Sequence, residues 1–139
     1  KAAAYEVADD ELVITADTVV IVGDDILGKP HDAAEAHVML RKISGRTHHV
    51  VTGVCMKTKR EQHSFSVVTG VTFKELTDAE IDYYIEHYKP FDKAGAYGIQ
   101  EWIGYIGVTG VDGSYYNVMG FPVQRVYAEL TNQFKIVQY

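Results

Sequence analysis

The stretch HHVVTGVCMKTKREQHSFSVVTGVTF, residues 48–73, decides the fold. Its first part, residues 48–57, is rich in valine and threonine, which favour strands. After the polar residues 58–62, a second run places its bulky side chains at every other position, namely Phe65, Val67, Thr69, Val71 and Phe73. A period of two puts these side chains on one face of a strand. The stretch therefore predicts two long antiparallel strands.

A helix is predicted on each side of this hairpin. On the N-terminal side, Asp32 followed by Glu35 resembles a capping box, and Gly45 marks the end of the helix. On the C-terminal side, Thr77 followed by Glu80 forms a second capping box. Apolar residues follow at i, i+3, i+4 and i+7, namely Ala36, Met39, Leu40 and Ile43 in the first helix and Ile81, Tyr84, Ile85 and Tyr88 in the second. This spacing predicts two helices that face the core.

The remaining segments predict further strands and a third helix. β-Branched runs at residues 12–15 and 19–22 flank residues 16–18, which we expect to interrupt the strand. Residues 102–111 have strand character, and Pro122 begins a helix. We therefore predict an α/β or α+β fold, with a mixed twisted sheet flanked by helices.

The composition describes a globular protein of one domain, residues 1–139, with 47% apolar residues. The net charge of −6 argues against a nucleic acid polymer as partner, although local positive charge can still bind a small anion. Cys55 is the only cysteine, so no internal disulfide can form. No apolar run approaches the roughly 18 residues that cross a bilayer. We expect a soluble cytoplasmic protein without a membrane segment.

Polar residues that periodicity does not explain mark four candidate sites. The first is Asp17 with Thr18, between two apolar runs. A carboxylate at a strand end can bind metal or act as a base, whereas an aspartate in a turn bonds to its own backbone, and both interpretations are open. The second is Lys29, between Gly28 and Pro30. A lysine on a constrained backbone suits a phosphate oxygen, and a surface turn is the competing interpretation.

The third and fourth sites are SGRTHH, residues 44–49, and DKAGAYGIQ, residues 92–100. The paired histidines of the third have no Cys or His spacing to support a zinc site, so a structural or solvated role is favoured. In the fourth, small residues surround Asp92, Lys93 and Gln100. The Gln100 amide can donate and accept at once, as the imide edge of a pyrimidine requires. A loop in which Asp92 caps and Lys93 is solvated is the competing interpretation.

These sites, in this order, resemble motifs of the Maf family, whose overproduction arrests septum formation in bacteria. The matching segments are ADTVV (16–20), LGKP (27–30), SGRTHHVVTG (44–53), DKAGAYGIQ (92–100) and YYNVMGFP (115–122). Five separated motifs in one order are far more specific than any one of them. The resemblance implies a fold like that of inosine triphosphate pyrophosphatases, and a homodimer.

The resemblance also implies hydrolysis of a nucleoside triphosphate to the monophosphate and pyrophosphate, with Mg²⁺ or Mn²⁺ as cofactor. On this basis Asp17 is the general base or a metal-bound carboxylate. Lys29 neutralises the triphosphate, Lys93 assists it, and Thr18 and Gln100 match positions that select the base. The lysine after aspartate and the AYGIQ ending resemble the branch that acts on dTTP, UTP and modified pyrimidine nucleotides, rather than the branch that prefers 7-methyl-GTP.

The chain departs from the family pattern at its N-terminus. Family members begin with a strand and a Ser-x-Ser-Pro-Arg-Arg-like phosphate loop followed by an acidic residue, and these motifs are absent from the 139 residues. Lys1 resembles a family lysine near the phosphates. A protein that starts at Lys1 is expected to be nearly inactive, and one with the loop upstream is expected to be an ordinary enzyme. A nucleotide-binding regulator of cell division without turnover is the alternative function.

Overall fold

The predicted hairpin forms the centre of a five-stranded sheet. The computed structural model describes residues 11–135. Its strands are β1 (Val13–Val22), β2 (Asp25–Leu27), β3 (Thr47–Lys57), β4 (Gln62–Phe73) and β5 (Val108–Asp112), in the spatial order β2-β1-β3-β4-β5. β3 and β4 pair in one register, from Thr47 opposite Thr72 to Lys57 opposite Gln62. The two long antiparallel strands are confirmed.

The helices begin largely where the sequence predicts. They are α1 (Ala33–Ile43), α2 (Asp78–Tyr88), α3 (Trp102–Gly107), α4 (Tyr115–Val118) and α5 (Val123–Asn132), with a 3₁₀ turn at Ala94–Ala96. α2 has the reciprocal capping box of Thr77 and Glu80, and α5 follows Pro122. α1 has half of its predicted box: Asp32 accepts from the Glu35 N–H at 2.8 Å, while the Glu35 carboxylate bonds to the residue before Asp32.

The α/β class, with helices packed against a sheet, is confirmed. All four strand pairings are antiparallel. The parallel pair that the predicted mixed sheet would contain is therefore not found within residues 11–135. Short connections, such as the two-residue turn between β1 and β2, favour antiparallel pairing because a parallel crossover needs a dozen or more residues.

The predicted interruption at residues 16–18 is wrong. β1 runs continuously through them, and Asp17 lies opposite Gly53 of β3. The long partner strand supplies backbone hydrogen bonds all along β1, which outweighs the low strand propensity of a single aspartate. The Asp17 side chain is exposed, so it keeps its contact with solvent.

The strand predicted over residues 102–111 is only half correct. Its first part is the helix α3, and its second part is β5. A helix places Ile103 and Gly107 on one face, and both are buried. Gly104 packs so tightly that a Cβ there would collide with the carbonyl oxygen of Ile99. A short apolar run does not distinguish strand from helix by periodicity alone.

Two apolar clusters cover one face of the sheet. Strand alternation places Val50, Thr52, Val54 and Met56 of β3 on the same side. Val50 belongs to a large cluster formed with α1 and α2, whereas Val54 and Met56 belong to a smaller cluster around Val126 of α5. Thr52, between them, is buried and polar. The boundary between the clusters is therefore a polar gap over the middle of the sheet.

Candidate active site

A cleft of about 390 Å³ opens beside this polar gap. Five of the six predicted site residues border it, namely Asp17, Thr18, Lys29, Lys93 and Gln100. The sixth, Lys1, lies outside the described residues. The five residues come from three segments that are far apart in sequence, so it is the folding of the chain that brings them to one place.

Thr18 lies at the floor of the cleft. Its hydroxyl is 2.9 Å from that of Thr52 on the neighbouring strand. Gly120, in the loop between α4 and α5, approaches from the opposite wall with φ 112°, and a Cβ there would be 4.0 Å from the Thr18 Oγ1. A glycine tolerates this backbone conformation without strain. The Thr18 hydroxyl is thus held at a fixed position between sheet and loop.

Asp17 lies at the rim of the cleft. Because successive side chains alternate along a strand, its carboxylate starts from the face of β1 opposite to Thr18. It also borders a second, more open cavity of about 460 Å³ with Gly53, Cys55 and Ser66. The carboxylate is therefore at the junction of the two sheet faces, exposed to water and next to the cleft.

Lys29 is brought to the cleft by a backbone contact. The Gly95 N–H donates to the Gly28 carbonyl oxygen at 3.0 Å, which ties the Lys29 loop to the DKAGAYGIQ segment. Gly95 has φ 72°, and a Cβ there would lie 2.8 Å from a methyl carbon of Val20 in β1. Only a glycine fits this approach. The same glycine therefore holds the segment against both the sheet and the lysine loop.

Lys93 is paired with its neighbour Asp92. The Lys93 ammonium lies 3.2 Å from Asp92 Oδ1 and its side chain is 27% exposed. The hydrogen bond from Lys93 holds the pKa of Asp92 below its usual range, and the charge of Lys29 adds a smaller effect in the same direction. The Lys93 side chain is thus half-buried and paired with the carboxylate next to it in the chain. Lys29, Lys93 and Asp92 therefore lie close together at the cleft.

Gln100 is exposed at the other end of the DKAGAYGIQ segment. Residues 98–101 form a turn in which the Glu101 N–H donates to the Gly98 carbonyl oxygen at 3.0 Å. Ile99, which precedes Gln100, is 5% exposed and belongs to the large cluster. With one neighbour in the core, Gln100 is held at the border of the cleft.

Sequence reasoning missed Tyr97, which forms part of the cleft wall. It is 6% exposed, and its hydroxyl lies 2.6 Å from Nε2 of His48. Burial lowers the pKa of His48 to about 4, so the imidazole is neutral at pH 7. His48 is therefore structural, as predicted. No sequence signal links His48 to Tyr97, because they are 49 residues apart.

Sequence reasoning also missed Asn117, which anchors the opposite wall. Its fully buried amide nitrogen lies 3.2 Å from the Val50 carbonyl oxygen, 3.1 Å from that of Val67 and 3.0 Å from the Thr69 hydroxyl. These bonds fasten α4 to β3 and β4. The next residues along the chain, among them Gly120, border the cleft. A polar residue inside the YYNVMGFP motif was the available signal.

Within residues 11–135, no three side chains of His, Cys, Asp or Glu lie close enough together to hold a metal ion. None of the helices described between these limits is long and apolar enough to cross a membrane.

Comparison with known proteins identifies the family. A family model described as "Maf-like protein" matches residues 1–133. The chain is 63% identical over 132 residues to a dTTP/UTP pyrophosphatase of Phocaeicola vulgatus, a match that covers 94% of this chain and 68% of that protein. It is 57% identical over 132 residues to one of Parabacteroides distasonis, with the same coverage, and 60% identical over 134 residues to one of Porphyromonas gingivalis, covering 94% and 67%. The chain belongs to the Maf-like protein family.

Proposed function

We propose that this protein is a hydrolase that cleaves dTTP and UTP between the α and β phosphates, releasing the monophosphate and pyrophosphate. The observation that carries the proposal is the cleft in which Asp17, Lys29 and Gln100 converge from three distant segments. Its volume of about 390 Å³ is within the range for small-molecule sites. Relatives that are 57–63% identical bear the name dTTP/UTP pyrophosphatase.

The base is recognised by Gln100 and Thr18. An amide side chain has one accepting oxygen and two donated protons, which matches the N–H and carbonyl edge shared by thymine and uracil. Cytosine presents the reversed pattern on that edge, with an amino donor where thymine has a carbonyl oxygen, and an amide pairs with it only after turning over. Selection against cytosine therefore requires that the orientation of the Gln100 amide is fixed. The same geometry accommodates modified pyrimidines that keep the imide edge. The Thr18 hydroxyl, fixed by Thr52 at 2.9 Å, supplies a second polar contact on the cleft floor.

The triphosphate is held by Lys29 and Lys93. Lys29 is exposed at the cleft and free to meet a phosphate oxygen. Lys93 reaches a phosphate by exchanging its contact with Asp92, which is 76% exposed and returns readily to water. Negative charge grows on the pyrophosphate as it leaves, and fixed cations lower the energy of that state.

Asp17 activates the attacking water. Its carboxylate accepts a proton while the water oxygen bonds to the α-phosphorus, and the bond from that phosphorus to the bridging oxygen breaks to release pyrophosphate. The resemblance also implies a divalent cation. Mg²⁺ in nucleotide enzymes is bound by one or two carboxylates together with the substrate phosphates, so Asp17 at the cleft rim fits as its protein ligand. When bound, the cation polarises phosphate oxygens and lowers the pKa of water.

The proposal extends to a cytoplasmic homodimer. Six large apolar side chains between residues 115 and 127 are between 39% and 59% exposed, namely Tyr115, Tyr116, Met119, Phe121, Val123 and Tyr127. Exposed apolar surface of this kind is typical of protein interfaces. Light scattering on the purified protein tests it: a mass of twice the monomer supports the dimer, and a monomer mass at micromolar concentration contradicts it.

Pyrophosphate release decides between the enzyme and the regulator of cell division. The assay uses dTTP, UTP, dCTP, GTP and 7-methyl-GTP with Mg²⁺ or Mn²⁺, on protein that includes any residues preceding Lys1. We expect release from dTTP and UTP above the other nucleotides. Binding of dTTP without release would support the regulator, and release from the purine nucleotides alone would contradict the pyrimidine assignment.

A further inference from the structure

The turn that carries Gln100 is held at both ends by a residue outside the motif. This turn, residues 98–101, is closed by one backbone hydrogen bond of 3.0 Å. The hydroxyl of Tyr84, on α2, accepts from the Gly98 N–H at 3.0 Å and donates to Oε1 of Glu101 at 2.6 Å. Gly98 is the first residue of the turn and Glu101 is its last. One phenol oxygen therefore links its two ends.

Tyr84 is well placed to keep this turn rigid. Its side chain is fully buried in the large cluster, with 0% exposure, and its ring stacks on that of Tyr88 at 5.1 Å. Burial and the Glu101 carboxylate both raise the pKa of Tyr84, so the phenol keeps the proton that it donates. A buried ring in a helix has little freedom to move. The position of its hydroxyl is consequently set by the core.

The backbone of Gly98 fits closely between the two charged side chains of this region. A Cβ on Gly98 would lie 2.8 Å from Glu101 Oε1 and 2.8 Å from Cε of Lys93. The Tyr84 hydroxyl, the Glu101 carboxylate and the stem of Lys93 therefore enclose the start of the turn. Gln100, two residues after Gly98, is exposed, so the backbone of the turn, rather than packing of the side chain, fixes the point from which its side chain extends.

We propose that Tyr84 is a positioning residue for base selection, which fixes the turn of residues 98–101 so that the Gln100 amide meets the imide edge of the pyrimidine. This inference rests on the proposed contact between Gln100 and the base. Tyr84 itself does not border the cleft, so it acts through Gly98 and Glu101.

The test is the substitution Tyr84→Phe, which removes the hydroxyl and leaves the ring. Binding is measured by calorimetry with α,β-imido dTTP, α,β-imido dCTP and inorganic tripolyphosphate. We expect the preference for the dTTP analogue over the dCTP analogue to fall about tenfold, the scale of one or two hydrogen bonds, with tripolyphosphate affinity unchanged. Tyr83→Phe, one residue earlier on α2 and 43% exposed, is the matched control and should keep the preference.

A double-mutant cycle separates a role of Tyr84 in positioning Gln100 from a general loss of stability. In a Gln100→Ala background, Tyr84→Phe should leave the remaining preference unchanged, because the two residues act through one contact. Glu101→Ala should lower the preference as Tyr84→Phe does, and Glu101→Gln, which keeps an acceptor oxygen, should largely restore it. An equal loss of affinity for all three ligands, or an unchanged preference in both Tyr84→Phe and Glu101→Ala, would overturn the inference.

The same ligands distinguish failure of this inference from failure of the proposed function. If the unsubstituted protein prefers the dTTP analogue but releases no pyrophosphate, hydrolysis is refuted and the role of Tyr84 is still measured. If it releases pyrophosphate while Tyr84→Phe keeps the full preference, only the role of Tyr84 is refuted. If the unsubstituted protein shows no preference between the two analogues, the role of Gln100 in base selection and the role of Tyr84 are both refuted.

Discussion

Removal of the buried amide of Asn117 is the perturbation whose size follows most directly from the structure. The nitrogen lies within 3.2 Å of three acceptors on β3 and β4, but an amide has only two protons, so three acceptors share two donated hydrogens. Two hydrogen bonds contribute about 2 kcal/mol, and the acceptors left unsatisfied in the interior add about 1 kcal/mol or more. The Asn117 carbonyl oxygen is itself buried without a partner in the described chain, so its removal offsets part of this loss.

We therefore expect Asn117→Ala to lower the free energy of unfolding by about 2–3 kcal/mol. Asn117→Asp should cost more, because a carboxylate of the same shape donates nothing to the two carbonyl oxygens and is buried as a charge. Urea unfolding followed by circular dichroism measures both. Asn132→Ala, at the exposed C-terminal end of α5, is the matched control and should change stability by less than about 0.5 kcal/mol. A loss below about 1 kcal/mol for Asn117→Ala would refute the hydrogen-bond reasoning.

Three further predictions address the phosphate end, the base end and the core of the site. Lys29→Ala should lower pyrophosphate release from dTTP by roughly 100-fold, the scale for one fixed electrostatic donor. The control Lys59→Ala, in the β3–β4 turn, should leave the release unchanged. If Lys29→Ala releases pyrophosphate as fast as the unsubstituted protein, Lys29 has no role in the site. Gln100→Glu replaces the amide donor with a carboxylate and should reduce the ratio of dTTP to GTP hydrolysis, so an unchanged ratio contradicts the assignment. The pKa of His48 is lowered from 6.5 in the unfolded chain to about 4, so between these pH values the unfolded state binds more protons. Stability should rise with pH through that window by up to roughly 3 kcal/mol, and urea unfolding at pH 4.5 and 7 should show a smaller difference for His48→Gln.

The sequence determined the main elements of the fold because their signals are local. The alternation at residues 65–73, the capping box of Thr77 and Glu80, and the start of α5 after Pro122 each depend on neighbours along the chain. Local patterns were insufficient where tertiary contacts competed with them. Pairing with β3 keeps β1 continuous through Asp17. Residues 102–107, whose run has strand character, form a helix that buries Ile103, Gly104 and Gly107.

The residues of the candidate site also fall into those that the sequence indicates and those that only the tertiary structure shows. Asp17, Lys29, Lys93 and Gln100 stood out in the sequence because each is a polar residue that periodicity leaves unexplained, and the motif order pointed to the family. Only the tertiary structure revealed the residues that support them. Tyr84 follows the apolar spacing of α2, so its pattern indicates a core residue and nothing more. That its hydroxyl joins the two ends of the Gln100 turn depends on contacts 14 and 17 residues away, which no periodicity encodes. Sequence specifies which side chains are available, and packing decides which of them meet.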